Sequence, residues 1–150
     1  GILLAATIVL GVFPWSIELL YAIPSILVLL VFATALGLLL SAVNVYLRDI
    51  GYLMEVVLLV MLWASPVVYS WSMVKSVFGP GLLLEIYTNN PVTLGVLGFQ
   101  QAMWVGGHGV AEYPDYLPLR LAIAFVVGIV ALLISHRVFL RLQGNFAQEL

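Results

Sequence analysis

Two histidines, four clustered serines and one Arg-Asp dipeptide are the side chains through which this 150-residue chain would do chemistry. His108 lies beside glycines and His136 beside Arg137, with the long apolar run Leu119–Ser135 between them. Metal ligation needs converging side chains, so no metal site is expected from this pair. Ser65, Ser70, Ser72 and Ser76 have no base at helical spacing, and there is no cysteine to serve as nucleophile, thiolate ligand or disulfide partner. An intramembrane protease or acyltransferase would need a buried acid or histidine in mid-span, and the apolar runs carry none. The Arg48-Asp49 pair is different: it sits between two of the most apolar stretches of the chain.

The elements that must position these residues follow from composition. The chain is 64% hydrophobic and 8% charged, with mean hydropathy +1.19, whereas soluble domains carry about 25% charged residues. A net charge of -2 gives no basic surface for nucleic acid. Gly1 opens directly onto "ILLAATIVLGVF", without a charged leader or a small-residue cleavage site, and the chain reads as a fragment whose N-terminal part is missing. A helix needs about 20 mainly apolar residues to cross a hydrocarbon core of roughly 30 Å. Three stretches answer to this, near 23–43, 52–69 and 119–135, with Arg120 snorkelling at one end of the last, and residues 1–13 look like the tail of a fourth span. The fold class expected is all-α, a polytopic membrane helical bundle.

Basic residues in short loops stay on the cytoplasmic side, which places Arg48, Arg137 and Arg141 inside. The segment 70–118, with Lys75, Glu85, Glu112 and Asp115, then lies outside, as does the Pro14–Pro24 connection. If Pro91–Val105 also crossed, "HRVFLRLQ" would emerge outside against the charge rule. At about 1.5 Å per residue that stretch is also short. It is therefore expected to enter and leave on the outer side as a re-entrant helix, with Asn90 as N-cap, Pro91 at the first helical position and Gly106-Gly107 ending it. Irregular backbone at membrane depth has to be shielded or line a wet cavity.

Pro66 removes a backbone donor, so the third span should kink or end near Ala64-Ser65. Asp49 suits the N-terminus of that span as a cap. Adjacent residues do not face one another on a helix, so Arg48 points elsewhere. The apolar positions Val43, Tyr46, Leu47, Ile50, Leu53 and Met54 make this loop amphipathic, fit for the cytoplasmic interface or for a partner protein. On these physical grounds alone, Arg48 as a topology anchor and Asp49 as a cap remain an alternative.

"NVYLRDIGYLMEVVLLVMLWASPVVYS", followed by "NPVTLGVLGFQQAMW" and a terminal "FLRLQGNFAQEL", resembles the membrane subunit of ABC-2 type exporters, in the branch that exports O-antigen, teichoic acid and related lipid-linked glycans. The likeness runs from about Tyr21 to the C-terminus. It implies that residues 1–150 are the C-terminal part of a six-span transmembrane domain, here spans three to six. It also implies a multi-pass permease of the bacterial cytoplasmic membrane that pairs with itself and with an ATP-binding subunit. Arg48 and Asp49 would couple to that subunit. The chain has no G-x-x-x-x-G-K-[ST] phosphate loop, so ATP and Mg would be bound by the partner, and no cofactor by this chain. The permease is expected to be a transport subunit rather than an enzyme. An ABC-2 exporter of drugs or lipids is the first alternative and the intramembrane enzyme the second. A secondary transporter would want an intramembrane ion-binding charge that the spans lack.

Trp and Tyr near span ends form interfacial belts by default. The resemblance implies instead that some aromatics line a sugar conduit, with Trp63, Tyr69, Phe99 and Trp104 as candidates. Ala33, Gly37 and Ser41, and Ala124 and Gly128, recur at fourth positions and are expected to let helices approach closely, within the subunit rather than at a dimer seam.

Overall fold

The computed structural model describes residues 9, 16–44, 50–104 and 109–143, and every regular element among them is helical. A 3-10 turn, Ile17–Tyr21, leads into α1 (Ala22–Asn44); α2 (Ile50–Trp63), α3 (Trp71–Phe78), α4 (Leu82–Thr88), α5 (Pro91–Met103) and α6 (Leu117–Gln143) follow. Pro24 sits in the first turn of α1, where a missing N–H leaves no intrahelical bond unmade.

The main packing is α1 along α6, with α5 laid across both. Buried positions in α1 recur at sevens, Val28, Ala35 and Ala42, and those of α6 fall at Leu117, Leu121, Ala124, Gly128 and Ser135. This is the spacing of a left-handed helix pair. Small residues bring the backbones together: a Cβ added at Gly128 would lie 3.0 Å from Val31 Cγ1. Ser25 and Leu121 meet at Gly98, and Val31 meets Gly128 farther along, so the two helices run in the same direction. Parallel helices that both cross a bilayer require an odd number of crossings between them.

Two stretches, Ile17–Asn44 and Leu117–Leu142, are long and apolar enough to cross a membrane. Only 17% and 22% of their most apolar windows is buried, whereas the core helix of a soluble protein is mostly covered. Their exposed Leu, Ile and Val side chains therefore suit lipid.

α2 covers the first part of the stretch 52–69. The described helix has 14 residues, roughly 21 Å at 1.5 Å per residue, and stops at Trp63. A turn follows through Ala64–Val67, closed by Val67 N donating to the Ser65 carbonyl at 2.8 Å, while Ser65 Oγ folds back on the Met61 carbonyl at 2.6 Å. The end near Ala64-Ser65 is thus as Pro66 required, but the stretch to Tyr69 is not one helix. Beyond it, the segment expected outside folds into α3 and α4, with Gly79 in the left-handed region (φ 65°) ending α3, and α5. The expected first span lies outside the described residues except for Val9.

The core gathers where α5 meets the beginnings of α1 and α6. Val28, Leu94, Leu97, Leu117, Leu121 and Ala124 form it, together with Trp71 and Leu84 from the short helices. The small-residue stripes divide. Ala124 and Gly128 pack within the chain, but Ala33, Gly37 and Ser41 are exposed, and a Cβ at Gly37 would meet nothing within 4 Å. The seam of α1 instead uses the register of Val28, Ala35 and Ala42.

Candidate functional site

The site is built around α5. Asn90 is its N-cap, with Oδ1 accepting from Val92 N at 3.0 Å, and Pro91 occupies the first turn. The helix ends at Met103 with Trp104 as C-cap, before Gly106-Gly107, which lie outside the described residues. Gly95 and Gly98 form its seat: an added Cβ at Gly95 would reach 2.5 Å from Leu29 Cγ, and one at Gly98 would collide with Ser25 Oγ. Only residues without a side chain let α5 sit this close to α1.

With Thr93, Leu94, Leu97 and Ala102 buried, the other face of α5 is left for a groove. Val96, Phe99, Gln100 and Met103 line it with Leu29, Val67 and Trp104, enclosing about 500 Å³ of mainly apolar space. One bond fixes its wall: Gln100 Nε2 donates to the Pro66 carbonyl at 2.7 Å, joining α5 to the turn after α2. A second cavity of about 390 Å³ shares Gln100 and Trp104 with the first and adds Ser70, Ser72, Glu112 and Tyr113.

Of the four aromatics singled out from sequence, Phe99 and Trp104 come together in the apolar groove. Tyr69 and Trp63 meet elsewhere, through Tyr69 OH donating to the Trp63 carbonyl at 2.6 Å, with Tyr87 OH donating to Tyr69 OH at 3.3 Å. Burial raises the Tyr87 and Tyr113 hydroxyls above their ordinary value of 10.0, so both stay protonated at neutral pH. Arg48 and Asp49 lie outside the described residues, as does His108.

Two polar clasps at this end were not legible in the sequence. Arg120, in the first turn of α6, pairs with Glu85 of α4 at 2.6 Å, and also bonds the Asn89 side chain and the Asp115 carbonyl. Hydrogen bonding from Arg120 holds the Glu85 carboxyl below its ordinary 4.5. Lys75 bonds Glu112 at 2.9 Å while lying 5.4 Å from the centroid of the Trp71 ring, and Trp71 Nε1 donates to Thr88 Oγ1 at 2.9 Å. These contacts hold α3 and α4 over α5. The pairs Trp71–Thr88, Lys75–Glu112 and Glu85–Arg120 join residues 17 to 37 apart, so no local pattern announces them.

The candidate serines bond locally. Ser65 and Ser76 donate to backbone carbonyls, and Ser70 bonds Ser72. Among the described residues no three His, Cys, Asp or Glu side chains gather as a metal site. The arrangement is one of grooves and clasps, suited to holding or passing a molecule.

No protein-family profile matches the chain, and no solved structure does. Among curated proteins, the O-antigen export system permease protein RfbA of Klebsiella pneumoniae is 23% identical over 150 residues, the match covering 99% of this chain and 52% of that protein. The chain therefore spans about half the length of the curated relative it matches, and over nearly all of its own length it is similar to a permease.

Proposed function

We propose that this chain is part of the membrane-spanning subunit of an ABC-2 type exporter, moving lipid-linked polysaccharide across the cytoplasmic membrane with ATP hydrolysed by a partner subunit. The observation that carries the proposal is the similarity to an O-antigen export permease along 99% of the chain. The geometry agrees with it. Two long apolar helices run parallel, and α5, laid across both between the Asn90 cap and Trp104, is taken as a re-entrant element that enters and leaves on one side. α3 and α4 cap that side. The permease pairs with a second copy and with the ATP-binding subunit, to which Arg48 and Asp49 transmit motion. The nearly apolar lining around Phe99 also supports the second reading, an ABC-2 exporter of lipids or drugs.

The two are separated by reconstituting the full-length protein with its ATP-binding partner and following ATP-driven movement of lipid-linked glycan. Delivery of glycan is expected. In Arg48→Ala, hydrolysis should persist while delivery fails. Movement of lipid or drug without glycan would assign the chain to the other branch.

A further inference from the structure

We propose that α3 and α4 form an amphipathic hairpin lying in the outer lipid-water interface, with Met73, Val77, Phe78, Leu82, Leu83 and Ile86 seated among the acyl chains of the outer leaflet. The inference rests on α1 and α6 spanning the bilayer and is independent of what the permease exports. Side chains of the hairpin sort by chemistry. At helical spacing Ser72, Lys75 and Ser76 fall on one side of α3, and Met73, Val77 and Phe78 on the other. On α4, Leu84 and Thr88 are buried, while Leu82, Leu83 and Ile86 project from the opposite side. Phe78 and Tyr87 join the two helices edge to face, their ring centroids 6.4 Å apart. The charges of the hairpin, Lys75 and Glu85, are drawn toward the start of α6 by their pairs with Glu112 and Arg120. The six apolar side chains are left exposed with no charge among them, and a face of this kind marks contact with protein or membrane.

The level of the hairpin in the molecule selects the membrane. α2 ends at Trp63 and α6 begins at Leu117, and the exposed rings of Trp63 and Tyr116 stand at those two ends, as Trp and Tyr do where spans leave the hydrocarbon. The hairpin is tied to both ends. Tyr69 OH donates to the Trp63 carbonyl and accepts from Tyr87 OH of α4, and Glu85 of α4 holds Arg120 in the first turn of α6. Short helices fixed at that level, apolar on one side and polar on the other, sink roughly 5–10 Å into the boundary between headgroups and chains. Beside α3, Tyr69, Met73, Val74, Val77 and Phe78 line a shallow apolar crevice of about 330 Å³, a seat for one acyl chain.

The test places single nitroxide labels, through cysteines at Ser76, Val77, Ile86 and Val126, on the full-length protein in vesicles of phosphatidylethanolamine and phosphatidylglycerol. Collision with oxygen, which concentrates in lipid, is compared with collision with a water-soluble nickel chelate. Val77 and Ile86 should favour oxygen, at a depth of about 5–10 Å, and Ser76 should favour nickel. Val126, exposed in the middle of α6, should favour oxygen most strongly. Nickel access at Val77 and Ile86 beside oxygen access at Val126 would put the hairpin in water and overturn the anchor alone. Weak collision with both reagents at Val77 and Ile86 would mean that protein covers the face, a second copy or another part of the chain, and would overturn it equally. Oxygen preference at Ser76 matching that of Val126 would sink the whole hairpin into hydrocarbon, against an interfacial position. Nickel access at Val126 as well would remove the spanning assignment and the anchor with it.

Discussion

Arg120 grips Glu85 with both terminal nitrogens of its guanidinium, at 2.6 and 3.1 Å, across 35 residues of sequence. A cation in the first turn of a helix opposes the helix dipole, so Arg120 is placed for the clasp rather than for α6. Glu85 is about half exposed, which limits the pair to about 1 kcal/mol at most. The Glu85 carboxyl titrates lower in the folded chain than in the unfolded one. Its contribution is therefore complete above pH 4.5 and lost as pH falls below it. A double-mutant cycle with Glu85→Gln and Arg120→Gln, read by thermal unfolding, should give a coupling at pH 7 that weakens as pH falls below 4.5. Coupling that does not weaken there would mean that the contact does not depend on the ionised carboxylate.

Gly98 packs against Ser25 of α1 with no room for a Cβ, and its substitution has a defined cost. An alanine there collides with Ser25 Oγ and comes to 3.1 Å from Leu121 Cδ1, so Gly98→Ala should destabilise by about 1–3 kcal/mol, as overpacking does. Adding Ser25→Ala removes the colliding oxygen and should restore part of the loss. Gly37→Ala, with open space around it, should cost nothing in the isolated chain. Unfolding midpoints in detergent decide both. If Gly98→Ala is neutral, α5 does not rest on α1 as described.

Local chemistry was legible in the sequence and long-range pairing was not. Asn90-Pro91 announced the start of α5 because a cap and a first-turn proline act within four residues, and Pro66 announced the end of α2 for the same reason. Hydropathy by itself continues through Val67 and Val68 after the backbone has turned, so the proline and not the apolar run marks that end. The stripe Ala33, Gly37 and Ser41 satisfied the same spacing rule as the true seam, and only the neighbouring helix distinguishes one face of α1 from another. In a helix apolar all round, sequence carries little information about which face is covered. The groove arises where α1, α5 and the 64–69 turn converge, and its residues 29, 67 and 99 share no motif.

The parallel course of α1 and α6 makes a topological prediction. The chain has no native cysteine, so single replacements at Gly51, Val110 and Gln143 report cleanly. Gly51 and Gln143 should react with a membrane-impermeant maleimide from the cytoplasmic side, and Val110 from the outside. External labelling at Gln143 would mean that α5 crosses the bilayer.

Phe99 and Trp104 share a groove that Trp63 does not line, and this divides the four candidate aromatics by experiment. A polymer of sugars has to be held loosely while water and ions are kept out, and aromatic faces offer ring contact without fixing strong hydrogen bonds. Charges would hold such a chain firmly, and the groove is lined by none. Phe99→Ala or Trp104→Ala should therefore lower glycan at the cell surface several-fold, or let the closed channel leak, with ATP hydrolysis by the partner retained. Trp63 is more than half exposed on α2, and its contact with Tyr69 runs through a backbone carbonyl that alanine keeps. Trp63→Ala should then have a smaller effect on export than either groove variant. A larger effect at Trp63, with the barrier and export intact in both groove variants, would move the path of the glycan from α5 to the exposed face of α2.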